Sequence, residues 1–407
     1  MMHSSSTVDI LDLFECNKVV KICAPMVRYS KLQFRNLVKI YGCDLTFTPM
    51  ILADSFCQSE KARQNEFTTN LMDTPVIVQF AANTVHDFVG AAHLVSPYCN
   101  GVDLNCGCPQ RWARDLGIGC EMLKDPQKVY DIVRQCRNQI GKPLTVSVKM
   151  RLLGETKTTV EIARQLENCG VSFITVHARI PSQSVGDINK TDLANIKDSV
   201  SVPVVGNGGV TSFEEALQLQ VETGCDGVMV ANGILNNPAL FSNTTVTFKE
   251  CIQDWVNICY NSTIPASKYN KIADSPIRSI DERPYNLTFQ CFHHHLVFML
   301  EKVLTRRQRQ VFNNLKRFEE VEHFLETYFD VKPQLYEFEK FSRYACIETD
   351  YKDKDDIYKL LRPVDLIDKN EWSFYDCDNN DGKYFNYKQK ELQNDECDWA
   401  NIFLENG

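Results

Sequence analysis

The chain has 407 residues, 43% hydrophobic and 24% charged, with a net charge of −9; it is too long for one ordinary domain and lacks the compositional bias of a fibrous or disordered protein. Residues 1–15 carry no apolar stretch of signal-peptide length, and no window approaches the roughly 20 apolar residues of a membrane helix, so neither secretion nor a membrane partner is expected. The 17 cysteines then read as reduced thiols, many in the core, and the chain is expected in the cytoplasm, with the nucleus as the alternative.

After an N-terminal extension (1–17), short β-branched or apolar runs recur: Val19–Met26, Cys43–Met50, Pro75–Ala81, Gly101–Asn105, Leu144–Met150, Phe173–His177, Val204–Asn207 and Gly227–Ala231. Most are continuously apolar, as strands buried on both faces are. Amphipathic stretches lie between several of them, at Ser30–Ile40, Val129–Ile140, Thr158–Cys169 and Ser212–Thr223. Strand–helix alternation implies parallel βαβ units, and this many units suit a closed (β/α)8 TIM barrel, an α/β fold, over residues 18–245. A doubly wound sheet would open on G-x-G-x-x-G, where Ala24-Pro25-Met26 stands instead.

Beyond Phe241 the pattern changes. Residues 246–330 are expected to form a helical C-terminal domain with a polar insert at 261–286. Its stretch Glu301–Arg317 holds Lys302, Arg306, Arg307, Arg309, Lys316 and Arg317 against one acid, Glu301. Most of the chain's net negative charge lies in 331–407, with 18 acidic and 11 basic residues. This reads as an acidic, partly disordered tail with one helix near Tyr351–Leu361.

In a TIM barrel the reacting groups sit at the C-terminal ends of the strands. Those ends carry Pro25-Met26, Gln79, Asn105-Cys106-Gly107-Cys108-Pro109, Lys149 with Arg151, His177 with Arg179, Asn207-Gly208-Gly209 and Ala231-Asn232-Gly233. A thiol, a lysine and a histidine thus converge with two glycine-bearing turns, which in barrels commonly bind phosphate through backbone N–H groups. A phosphate-bearing cofactor follows, though not which one.

The segments C-A-P-M-V-R-Y-S-K (Cys23–Lys31), F-T-T-N (Phe67–Asn70), V-Q-F-A-A-N (Val78–Asn83), D-L-N-C-G-C-P-Q-R-W (Asp103–Trp112) and C-F-H-H-H-L (Cys291–Leu296) resemble the tRNA-dihydrouridine synthases, in particular the eukaryotic branch acting at D-loop positions 20a and 20b. The likeness spans about residues 18–330. It implies that NADPH reduces FMN, whose hydride goes to C6 of a uracil while a cysteine protonates C5. Cys108, directly before the proline, matches that cysteine, and an ordinary thiol pKa of roughly 8.5 keeps it protonated. The resemblance further implies that Lys149 stabilises negative charge on the flavin, that Gln79 hydrogen-bonds its pyrimidine rim, and that Ala24, Pro25 and Met26 lie along the ring. By the same likeness His177 contacts flavin or uracil. Asn207, Gly208, Gly209, Ala231 and Asn232 serve the cofactor and its phosphate. Asn83, Asn105 and Arg179 become candidates for the target base and its phosphates, and Arg306, Arg307 and Arg309 for the tRNA.

Three residues depart from the family pattern: Ala178 where glycine is expected, Gly209 for aspartate, and Asn232 for an arginine near the flavin phosphate. Losing that arginine implies FMN binding weaker by roughly ten- to a hundred-fold. These departures motivate an alternative, a tRNA-binding paralogue with weakened catalysis. Another is a flavin oxidoreductase acting on a small pyrimidine, against which the basic helical extension argues. The run His293-His294-His295 with Cys291 invites a metal, but consecutive helical side chains point apart, so none is expected. The protein is expected to act as a monomer.

Overall fold

The computed structural model describes residues 9–15, 18–140, 143–242, 248–262, 266–270 and 287–351. Its strands are β1 (Val20–Cys23), β2 (Leu45–Phe47), β3 (Ile51–Leu52), β4 (Val76–Ala81), β5 (Gly101–Cys106), β6 (Thr145–Arg151), β7 (Phe173–His177), β8 (Val204–Asn207) and β9 (Gly227–Val230). All pair in parallel in the order β2-β1-β9-β8-β7-β6-β5-β4-β3, and β2 also pairs with β4, which closes an eight-stranded barrel. The two-residue β3 only extends β4, through Ile51 opposite Phe80. Each of the eight apolar runs supplies a barrel strand. The first two are shorter than the runs suggest, because Pro25 and Pro49 lack the N–H that a ladder needs.

The helices between strands follow from their apolar stripes and end signals. Helix Phe213–Thr223 starts where Ser212 accepts from the Glu215 N–H and stops at Gly224 in the left-handed region. Helix Leu32–Ile40 is buried along nearly its whole length. Its Arg35 donates to both carboxylate oxygens of Asp73, at 2.9 and 2.6 Å, with almost no exposure. Thr69 of the F-T-T-N segment also donates to Asp73, and the Thr68 carbonyl accepts from Arg35. That segment fastens a loop to the helix.

After the barrel come helices Phe248–Asn261, Phe289–Leu300, Arg306–Asn313 and Phe318–Phe329. They pack around the fully buried Trp255, whose ring stacks on Phe292 and lies 4.6 Å from His295. The expected insert 261–286 lies mostly outside the described residues.

The first part of the expected acidic tail lies within the described residues. Residues 331–351 turn back over the fold and include a helix, Phe338–Tyr344. Asn70 Nδ2 donates to the Tyr344 carbonyl at 2.7 Å, Ile347 N to the Thr69 carbonyl at 3.0 Å, and Tyr98 hydroxyl to the Asp350 carbonyl at 2.9 Å. Val331, Tyr336, Phe341, Tyr344 and Ala345 are buried, and their apolar area outweighs the surrounding charge. The helix expected near Tyr351–Leu361 lies, beyond Tyr351 itself, outside the described residues.

Candidate active site

Side chains alternate across a strand, so register alone sorts the polar residues of the barrel interior into tiers. Gln79, Asp103 and Ser147 are aligned, then Asn105, Lys149 and Thr175, then Arg151, His177 and Asn207. The last tier lies nearest the C-terminal mouth.

The lowest tier is an anchored network. Asp103 accepts from Ser147 Oγ at 2.7 Å and from Gln79 Nε2 at 2.8 Å. Burial nevertheless raises its carboxyl to about 6, since those two hydrogen bonds only partly offset lost hydration. Gln79 Oε1 in turn accepts from Asn105 Nδ2 at 2.9 Å. Asn105 Oδ1 accepts the backbone N–H groups of Gly107 and Cys108, at 3.2 and 3.0 Å. A chain of polar contacts therefore runs from the barrel interior to the cysteine loop.

That loop is held on other sides too. Arg151, nearly buried, donates Nε–H to the Gly107 carbonyl, and the Cys120 N–H donates to the Cys108 carbonyl at 3.0 Å. A Cβ on Gly119 would stand 2.5 Å from the Cys108 carbonyl oxygen, so only glycine lets the following turn pack there. Cys108 is half-buried, and burial raises its pKa, which keeps the thiol protonated at neutral pH. Cys106, on the other side of Gly107, is fully buried in the core.

Lys149 stands across from this loop, partly open to the mouth but walled by protein. That setting, followed by the charge of Arg151, pushes its amine down to about 8. Nζ donates to Asn207 Oδ1 at 3.0 Å, and Asn207 Nδ2 is fixed on the Met229 carbonyl at 2.9 Å. No carboxylate lies within ion-pair distance of Lys149 among the described residues. Beside it, Thr175 Oγ is buried without a hydrogen-bond partner. A cation lacking a counter-anion and an orphaned hydroxyl fit a polar, electron-rich ring edge laid over them.

His177 is nearly buried, and burial together with Lys149, Arg151 and Arg179 lowers its pKa to about 2, so it stays neutral. Gly208 follows with φ +122 and Gly209 with φ +71. A Cβ at Gly208 would press on the His177 ring at 3.0 Å, and one at Gly233 would meet the Val210 carbonyl at 2.5 Å. The turns at 207–210 and 231–233 are thus packed closely together, and backbone N–H groups of such glycine turns are the kind that can hold an anion. The glycine at 209 suits its left-handed backbone, and Ala178 is fully buried; two of the three departures from the family pattern are accommodated by the local structure.

Two substrate candidates are engaged within the protein. Asn105 is committed to Gln79 and the cysteine loop, as above. Arg179 is mostly buried and gives Nε and Nη2 to the Gly186 carbonyl, at 3.1 and 2.6 Å. Asn83 is exposed beside the cysteine loop, with Nδ2 on the Leu116 carbonyl at 2.9 Å. Pro25 is half-buried and Met26 buried after β1, and Ala231 and Asn232 are half-buried after β9. Arg306, Arg307 and Arg309 lie away from these groups on helix Arg306–Asn313, the first two exposed and the third half-buried.

Reading strand ends alone misses Asp103, Ser147 and Thr175 and gives Arg151 no task. Period-two spacing would have found them: Asp103 precedes Asn105 by two residues, and Ser147, Lys149 and Arg151 share one face.

The profile of the dihydrouridine synthase (Dus) family matches residues 22–332. A mouse protein named tRNA-dihydrouridine(20a/20b) synthase (NAD(P)+)-like is 44% identical over 308 residues, covering 75% of this chain and 88% of its own. The human protein of that name is 44% identical, covering 75% and 90%. The Saccharomyces cerevisiae tRNA-dihydrouridine(20a/20b) synthase (NAD(P)+) is 35% identical over 305 residues, covering 74% and 77%.

Proposed function

The chain belongs to the dihydrouridine synthase family, and from that premise we propose that it reduces uridine to 5,6-dihydrouridine at positions 20a and 20b of the tRNA D-loop, with FMN bound in the barrel mouth and NADPH as reductant. The observation that carries this reading is the juxtaposition of a protonated, loop-clamped Cys108 with a Lys149 that has no carboxylate partner among the described residues. When bound, reduced FMN supplies the hydride that adds to C6 of the uracil.

Saturating the C5–C6 bond also takes one proton at C5. Cys108 Sγ–H delivers it, which requires the thiol form that burial favours. Asn105 and Arg151 hold the loop so that the thiol faces the base. Lys149 lends positive charge to the pyrimidine edge of the flavin, and Gln79 Nε2 offers it the N–H not used by Asp103. Ala24, Pro25, Met26 and His177 border the ring. Asn207 orients Lys149, while backbone amides at Gly208, Gly209, Ala231 and Asn232 take the phosphate. Asn83 is left for the substrate strand, and Arg306, Arg307 and Arg309 give helix Arg306–Asn313 a phosphate-binding face. The protein acts as a monomer in the cytoplasm or nucleus.

The test is the visible spectrum of the protein as isolated, which should show oxidised flavin, together with NADPH oxidation driven by unmodified tRNA. A colourless protein that FMN does not reconstitute would overturn the reading. Retained tRNA binding by such a protein would instead establish the weakened paralogue.

A further inference from the structure

Two non-glycine residues among those described have a left-handed backbone, Arg28 (φ 71) and Asp330 (φ 52). Asp330 has an evident reason, since it caps the C-terminus of helix Phe318–Phe329. Arg28 caps nothing. It is the third residue of the tight turn Met26–Tyr29, closed by the Tyr29 N–H on the Met26 carbonyl at 3.0 Å. A positive φ at that place in a turn is one that glycine adopts freely and a Cβ-bearing residue resists.

The conformation is enforced from outside. Cys291 Sγ donates to the Arg28 carbonyl at 3.2 Å, and His295 Nε2 to the Tyr29 carbonyl at 3.0 Å. His294 Nδ1 lies 3.1 Å from the Tyr29 hydroxyl, and Phe298 packs edge-on against the Tyr29 ring. The three histidines therefore serve as fasteners. His293 holds the Phe312 carbonyl in the basic helix at 2.9 Å, while His294 and His295 hold the loop after β1. One rigid helix thereby joins the Arg306–Asn313 helix to the barrel mouth.

What the strain presents is a cation. The Arg28 side chain is exposed and makes no hydrogen bond or ion pair with any described residue. Arg35, seven residues on, has its guanidinium closed on Asp73. Sustained strain at a clamped turn, ending in an unpaired arginine beside a reaction site, points to a ligand. Resting on the tRNA reading above, we propose that Arg28 is a substrate-positioning contact that binds a phosphate of the RNA strand as it passes from the basic helix into the barrel mouth.

The decisive substitution is Arg28→Gly in the flavin-loaded enzyme, because glycine relieves the backbone and removes the cation at once. Expected are an unchanged flavin spectrum, a thermal midpoint equal to or above wild type, and a KM for tRNA about ten-fold higher. The salt dependence of tRNA binding should fall by about one phosphate contact, and Arg28→Lys should restore part of the affinity. A KM and salt slope equal to wild type would overturn the proposal. So would loss of flavin, which would make the turn a cofactor support, or a rise confined to the KM for NADPH, which would assign the cation to the dinucleotide. Wild-type enzyme that fails to bind tRNA at all would overturn the function reading and this proposal with it.

Discussion

Arg151 on β6 donates its Nε–H to the Gly107 carbonyl at 3.0 Å, one residue before the thiol assigned as proton donor. The guanidinium also faces the Ile180 and Gln183 carbonyls, at 3.5 and 3.3 Å, so it spans the loops after β5 and β7. Replacing Arg151 with methionine keeps the stem and removes the span. We expect kcat with tRNA to fall on the order of a hundred-fold as the thiol loses its alignment, with flavin content preserved. Single-turnover rates beside the absorbance at isolation check this.

Cys108→Ala separates the two half-reactions. Bleaching of the flavin by NADPH without oxygen should proceed as in wild type, while dihydrouridine formation drops by about 10²–10⁴-fold, the range of one positioned acid. Mass analysis of the recovered tRNA reads the second step. Dihydrouridine formed at the wild-type rate would remove Cys108 from the mechanism.

Lys149→Gln should weaken FMN binding by roughly ten- to a hundred-fold, the range for one charge-assisted hydrogen bond. The amine titrates at about 8 before cofactor binds. It is charged below that pH and neutral above, so wild-type affinity for FMN should decline as pH rises through about 8. The variant should not show this decline. Fluorescence titrations from pH 6.5 to 9.5 measure both.

Asp103 gives a stability prediction of definite sign. Its folded-state pKa of about 6 exceeds the unfolded value of roughly 3.9. Between those values the folded chain keeps a proton that the unfolded chain has released, so this group makes stability fall as pH rises from about 4 to 6. Asp103→Asn should erase that slope and gain up to about 3 kcal/mol on wild type above pH 6. Urea midpoints across the window decide it, and a variant less stable at pH 7 than at pH 4 relative to wild type would contradict it.

Reversing Arg306, Arg307 and Arg309 to glutamate should abolish measurable tRNA binding at moderate salt and leave the flavin spectrum intact, because phosphate contacts supply much of such affinity. Filter binding at several salt concentrations reads the effect.

The barrel was legible because buried parallel strands are continuously apolar and alternate with amphipathic stretches, and Cys108 because its motif is specific. The inner network was not. Asp103 and Ser147 are unremarkable residues within apolar runs, and their meeting depends on a register between β5 and β6 that no single strand encodes. Asn105 and Arg179 are substrate candidates by resemblance, and their contacts within the protein have no sequence signal. In the fold their polar atoms find carbonyl and amide partners closer at hand. The return of residues 331–351 was hidden by charge, since the helical spacing of Phe341, Tyr344 and Ala345 covers less than two turns and lies among acidic and basic residues.

That return has a mechanical consequence. The helices after the barrel are tied to it where the chain leaves β9 and again where Tyr344, Ile347 and Asp350 meet Asn70, Thr69 and Tyr98. A body pinned at both ends does not swing as a hinged jaw does. Under the proposed reading, the protein offers its substrate a saddle of set pitch, and the bending and unstacking that carry a uracil down to the thiol fall on the nucleic acid.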